Sequence, residues 1–223
     1  KGGEITTIAD IPSRGTGLGS SSAVTVGLLN ALHRFNGNEV SSEELAAQAC
    51  QIEMDILGQP IGRQDQYAAA LGGVNHIRFL PDDSVITEPL ELSQELLQRI
   101  ENEFTLLYTG LTRSASQILE QQSVNSSENM AQLDKMCGQA KRARDLLLSG
   151  DLKGLGELLH EGWMLKKELA SGISVPEIDA LYQTIREHGA TGGKLLGAGG
   201  GGFILFHGDE GVREKIALAL PEN

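Results

Sequence analysis

From Gly189 to Gly202, eight of fourteen residues are glycine, and that density excludes more structures than any other stretch of the chain. Inside a helix each glycine costs about 1 kcal/mol relative to alanine, and strand interiors are weakened too, so the run is not the interior of a regular element. Two uses remain: a flexible linker, or a tight loop pressed against other backbone where no β-carbon fits. The flanks favour the loop. Apolar Leu195-Leu196 and the strand-like Phe203 to Phe206 bracket its densest part, and no serine or proline tract surrounds it.

A second glycine segment lies near the start. An extended stretch, Glu4 to Ala9, leads through Gly15, Gly17, Leu18 and Gly19 into Ser20, Ser21 and Ser22, after which Val24, Leu28, Ala31 and Phe35 recur at helical spacing. Strand, glycine loop and helix are the parts of an anion site, because glycine lets backbone approach a ligand and the first turn of a helix presents unpaired N–H groups. The serines can cap the helix, bind phosphate oxygens or place one oxygen on a Mg²⁺ ion. Two known spellings fail here: a P-loop requires a lysine before its Ser/Thr, and the dinucleotide fingerprint requires glycine where Ser22 stands. A serine-capped helix after a flexible turn stays open as the structural alternative.

Between the two loops, Ser41 and Glu44 form a capping pair for a helix carrying Leu45, Ala49, Ile52, Glu53 and Ile56, which Gly58 and Pro60 end. Gln66 to Leu71 reads as a short helix, Val74 to Phe79 as a strand, Pro81 to Ser84 as a turn, and Phe104 to Tyr108 as a buried strand. Further helices are expected at about 114–123, 127–149, 152–170, 176–188 and 210–219, by the same periodicity and capping signals. Among them, Met130, Leu133, Cys137 and Ala140 share one expected face, and Ser174 with Glu177 marks a helix start. A domain boundary is placed near residue 102, giving segments 1–102 and 103–223.

Bulk properties narrow the partners. A net charge of −12 lacks the positive field that draws nucleic acid or anionic membrane, so neither is expected. The two cysteines, Cys50 and Cys137, suggest no disulfide or metal spacing and fit a reducing cytoplasm. There is no apolar run of membrane-spanning length and no signal-peptide pattern, and the chain reads as soluble. It begins at Lys1, close to its first motif, so an upstream segment is expected. A phosphorylated substrate would have to be held by few cations, of which Arg14, Arg63, Arg113 and Lys194 are the candidates. Trp163 reads as core, and the five histidines show no ligand spacing. Oligomeric state is not visible.

Glu53 and Asp65 lie twelve residues apart across the Gly58 to Gly62 turn, a separation that lets a helix end and a returning loop face one pocket. By residue type alone, a solvated Glu53 and a turn-capping Asp65 serve as well.

Pro12 to Ala23 resembles the second motif of the GHMP kinases (galacto-, homoserine, mevalonate and phosphomevalonate kinases), P-x-x-x-G-L-G-S-S, with Gly17 to Ser21 matching and one extra residue after Pro12. Glu53 to Gln66 resembles the galactokinase-type stretch that carries a metal-binding glutamate and a catalytic aspartate, and Lys194 to Phe203 resembles the third motif, whose loop backs the phosphate loop. The resemblance implies an α+β, two-domain kinase fold lacking its N-terminal segment, with a ferredoxin-like C-terminal domain. It implies ATP on Gly15, Gly17, Leu18, Gly19, Ser20, Ser21, Ser22, Gly199, Gly200 and Gly201, Mg²⁺ on Ser20 and Glu53, and Asp65 as the group that accepts the proton of a sugar hydroxyl. Asp65 to Gly73, Tyr108 to Ser116 and Gly193 to Gly199 are similar to the D-glycero-D-manno-heptose 7-phosphate kinases, which implies a sugar phosphate as the small-molecule substrate. Arg63, Arg113 and Lys194 are then the candidates for its phosphate.

Overall fold

The structure, a computed structural model, describes residues 4–6, 8, 16–112 and 115–220. Of the strand expected from Glu4 to Ala9, residues 4–6 and 8 are irregular. Helix α1 (Ser20–Phe35) follows the first glycine loop, and α2 (Ser42–Cys50) begins where the Ser41 side chain accepts the Glu44 N–H at 3.1 Å. α2 then widens into a π-helical turn, Gln51–Ile56, that periodicity had read as ordinary helix. Helix α3 (Gln64–Leu71) leads to β1 (Asn75–Phe79), which pairs antiparallel with β2 (Val85–Pro89) across the expected turn, Phe79 opposite Val85. Ala46, Cys50 and Tyr67 form a small core with Met54, Leu71, Ile77 and Val85 against it.

Helix α4 (Gln94–Glu103) runs directly into β3 (Phe104–Tyr108). Four helices follow, α5 (Ala115–Val124), α6 (Met130–Ser149), α7 (Leu152–Lys167) and α8 (Pro176–Glu187), then β4 (Gly192–Leu195), β5 (Phe203–His207) and α9 (Glu210–Ala219). The three strands form an antiparallel sheet in the order β3-β5-β4, with Tyr108 and Leu195 facing Phe203 and Ile204. Strand, helices, two strands and a helix is the succession that opens a ferredoxin-like unit. Its core includes Trp163, Ile173, Ile185, Leu195 and Phe206, with Trp163 fully buried as expected.

Four expectations are corrected. β4 lies inside the glycine run: its Gly192 lets α7 close onto the sheet, since a β-carbon there would strike Gly156 and His160. α8 starts from Val175 with Pro176 in its first turn, and Ser174 donates to Asp179 at 2.9 Å rather than capping. On α1 the apolar stripe faces outward, Val24 and Phe35 being 50% and 69% exposed, because Ser22 and Val26 are the buried positions. On α6, Cys137 and Met130 are exposed, while Leu133 and Met136 pack against the core. Among the described residues no helix is long and apolar enough to cross a membrane.

Candidate active site

The three serines do not cap α1. Its N-cap is Gly19, in a left-handed conformation and without a side-chain cap, so the N–H groups of the first turn keep the partial positive charge that attracts an anion. Helical phase sends the hydroxyls in different directions. Ser21 Oγ donates to Glu53 Oε1 at 2.6 Å and Ser22 Oγ to Glu53 Oε2 at 2.8 Å, while Ser20 Oγ lies 3.2 Å from Thr16 Oγ1. Ser20 and Glu53, expected to share a Mg²⁺ ion, make no direct hydrogen bond, and Glu53 accepts instead from Ser21 and Ser22.

Glu53 is 2% exposed, and Gln66 Nε2 adds a third donor, 2.5 Å from Oε2. The π-helical turn carries Glu53 toward α1, in keeping with the frequent placement of such turns at functional sites. A buried carboxylate is tolerated when donors replace its lost hydration, and here two hydroxyls and an amide do so. The alternative of a solvated Glu53 is excluded.

Asp65 stands in the first turn of α3, half-buried, with Gln64 Nε2 at 3.3 Å from Oδ1. A β-carbon on Gly19 would fall 3.4 Å from Asp65 Cβ and Cγ, so the carboxyl group lies against the glycine that opens α1. The starts of α1 and α3 converge there.

The second glycine loop closes on the first through backbone alone. A β-carbon on Gly17 would come 2.6 Å from Leu196 O, and one on Gly197 would come 2.5 Å from Gly17 Cα; both glycines have positive φ, 73° and 70°. Gly197 makes this crossing, and the sequence reading had passed over it for Gly199, Gly200 and Gly201. Those three are buried against other backbone: a β-carbon on Gly199 would strike Ile173, one on Gly201 would strike Leu111, and Gly200 N–H donates to Ile173 O at 2.9 Å. They anchor the loop from behind.

Residues 1–73 match the family described as GHMP kinases N terminal domain, and residues 143–223 match GHMP kinases C terminal. The chain belongs to the GHMP kinase family. It is 32% identical over 216 residues to the D-glycero-alpha-D-manno-heptose 7-phosphate kinase of Campylobacter jejuni, covering 96% of this chain and 63% of that protein. It is 27% identical to the bifunctional fucokinase/GDP-fucose pyrophosphorylase of Arabidopsis thaliana, over 95% of this chain and 20% of that one. The crystal structure of a D-glycero-D-manno-heptose 1-phosphate kinase from Bacteroides thetaiotaomicron superposes with a TM-score of 0.72 at 29% identity, covering 96% of this chain and 60% of its own. The chain therefore spans under two thirds of the length of these relatives.

Within this GHMP kinase chain the expected substrate cations separate. Arg63 is committed elsewhere: it donates to Asp83 O at 3.0 Å, pairs with Asp83 Oδ1 at 2.9 Å and lies over the Phe79 ring, tying α3 to the β1–β2 turn. Arg63→Ala is expected to lower stability by about 1 kcal/mol, the sum of a mostly exposed ion pair and a cation–π contact. It should leave the KM for a phosphorylated substrate unchanged, as urea denaturation and steady-state kinetics would reveal. Lys194, on β4, is half-buried, and burial holds its ammonium below the usual lysine range. Gly15 and Arg113 lie outside the described residues. The histidines have local partners: His33 with Gln48, His76 with Glu88, His160 with Tyr182, His188 with Thr184 O, and His207 with Thr191 and Glu103.

Proposed function

We propose that the intact protein transfers the γ-phosphoryl group of ATP to the anomeric hydroxyl of a sugar phosphate, D-glycero-D-manno-heptose 7-phosphate. The observation that carries this reading is the convergence at Gly19: an uncapped helix start, the buried Glu53 held by Ser21 and Ser22, and Asp65 against the same glycine. Phosphoryl transfer asks a protein mainly for positioning and charge stabilisation, which are what these groups supply. We place two domains about a boundary near residue 102, between the small core of Ala46, Cys50 and Tyr67 and the larger core around Trp163.

In this reading the N–H groups opening α1 and the backbone from Gly17 to Ser20 hold ATP phosphates, with the Gly197 loop bracing them. Mg²⁺ suits the donor set: Glu53 Oε1 and Ser21 Oγ are hard oxygens 2.6 Å apart, and Ser21 is exposed. Among the described residues no cluster of three or more histidine, cysteine or carboxylate ligands forms, which fits an ion that takes most of its shell from phosphate and water. When bound it neutralises charge on the transferred phosphate. Ser22 and Gln66 fix Glu53 in place. Asp65 orients the sugar hydroxyl and receives its proton as the new P–O bond forms. A loose transition state asks for little proton removal early, so a weakly basic carboxylate suffices. Dependence on ATP and a sugar phosphate suits a cytoplasmic enzyme.

The names of the two heptose kinases support a heptose phosphate as acceptor; the fucokinase relative favours fucose as the second reading. ADP release by the intact protein with Mg·ATP, measured across heptose 7-phosphate, fucose, galactose and mannose, is expected to give the highest kcat/KM with heptose 7-phosphate. A higher value for fucose would move the assignment to that sugar, and no turnover with any acceptor would overturn the kinase reading.

A further inference from the structure

Lys166, the penultimate residue of α7, donates its ammonium to Gly197 O, the residue whose Cα region meets Gly17 at the loop crossing. Like Lys194 it is half-buried, and neither has a carboxylate partner among the described residues. Arg63 pairs with Asp83, Arg144 with Glu88 and Asp145, and Lys167 with Asp179, whereas Arg186, also half-buried, likewise donates to a backbone carbonyl, Ala190 O. The bond to Gly197 uses one of three Lys166 donors, and all three Lys194 donors are free of partners among the described residues. An anion bound there would supply the counter-charge that neither ammonium has among the described residues. The chain carries net charge −12, so carboxylates to neutralise them are plentiful in composition yet not placed there.

We infer that Lys166 and Lys194 form a phosphate subsite at the crossing of the two glycine loops, binding a phosphate dianion carried by a ligand of the active site. The proposal rests on the kinase reading above and adds two residues to it, one of them unmarked by any sequence motif. Burial, with the Lys194 charge added, pushes the Lys166 ammonium down to about 8, so Lys166 remains mostly protonated at neutral pH, where a phosphate monoester is largely dianionic; burial lowers Lys194 as well. The ligand phosphate is that of the acceptor sugar or of ATP, and each lysine contributes charge-assisted hydrogen bonds to it.

The test has two arms. In the intact protein labelled at lysine, with Lys166→Met used to assign its signal, NMR titration should show the Lys166 pKa rising from about 8 when inorganic phosphate is added. In steady-state kinetics, Lys166→Met and Lys194→Met should each raise the KM for the phosphate-bearing ligand about tenfold or more, the loss of a hydrogen bond to charge, with Lys166→Arg recovering part of it. A rise in the sugar phosphate KM assigns the subsite to the acceptor, and a rise in the ATP KM assigns it to the nucleotide; both support the inference. Unmoved lysine signals together with unchanged KM values for both ligands would overturn it. Lysine signals that respond in a protein with no sugar kinase activity would instead sink the kinase reading and leave the subsite standing.

Discussion

Asp65→Asn is expected to lower kcat about 10²–10⁴-fold, the range for loss of a positioned proton acceptor, with the fold intact. Asp65 is half-buried against Gly19 and accepts a 3.3 Å hydrogen bond from Gln64. An amide occupies the same space, and its carbonyl can still accept from Gln64. In the proposed mechanism, what asparagine lacks is the negative charge that orients the attacking hydroxyl and takes its proton. Because that interaction strengthens as the P–O bond forms, the loss belongs to kcat more than to the KM for ATP. Separate kcat and KM values from ADP release, with thermal melts of both proteins, decide the matter. A parental kcat in the folded variant would remove Asp65 from the mechanism.

The glycine loops were legible because close backbone approach leaves a compositional trace: a position that admits no β-carbon must be glycine. That trace does not name the partner backbone, so Gly199 to Gly201 were assigned to the ligand when Gly197 makes the crossing with Gly17 and the others meet Ile173 and Leu111. The same density hid β4, since glycine counts against a strand by propensity while Gly192 is what admits α7 against the sheet. Three adjacent serines are chemically equivalent in a sequence; only the phase of α1 sends Ser21 and Ser22 to Glu53 and leaves Ser20 with Thr16. The same set of bonds buries Ser22 on α1, a polar position that the apolar spacing of the helix does not mark. Arg63 and Lys166 depended on partners 20 and 31 residues away, which local pattern does not supply.

Glu53→Gln tests whether the buried carboxylate is there for its charge or for its hydrogen bonds. Ser22 and Gln66 both donate to Oε2, so the variant should keep its carbonyl on that side and satisfy both. Its NH₂ group then faces Ser21, whose hydroxyl can rotate and accept in place of donating to Oε1. Stability should therefore fall by only about 1 kcal/mol, the net worth of a rearranged hydrogen bond. Glu53→Ala, in contrast, leaves the Ser22 hydroxyl and the Gln66 amide without an acceptor and opens a cavity, costing about 3 kcal/mol or more. The two variants converge in activity. Glutamine presents hydrogens where a metal ion would need a lone pair and supplies no negative charge, so kcat/KM is expected to fall about 10²–10³-fold, with a raised Mg²⁺ requirement. Thermal melts alongside Mg²⁺ titrations of turnover separate the effects. A folded Glu53→Gln protein with unchanged rate and Mg²⁺ dependence would make Glu53 a brace for the serine turn and put the ion on other ligands.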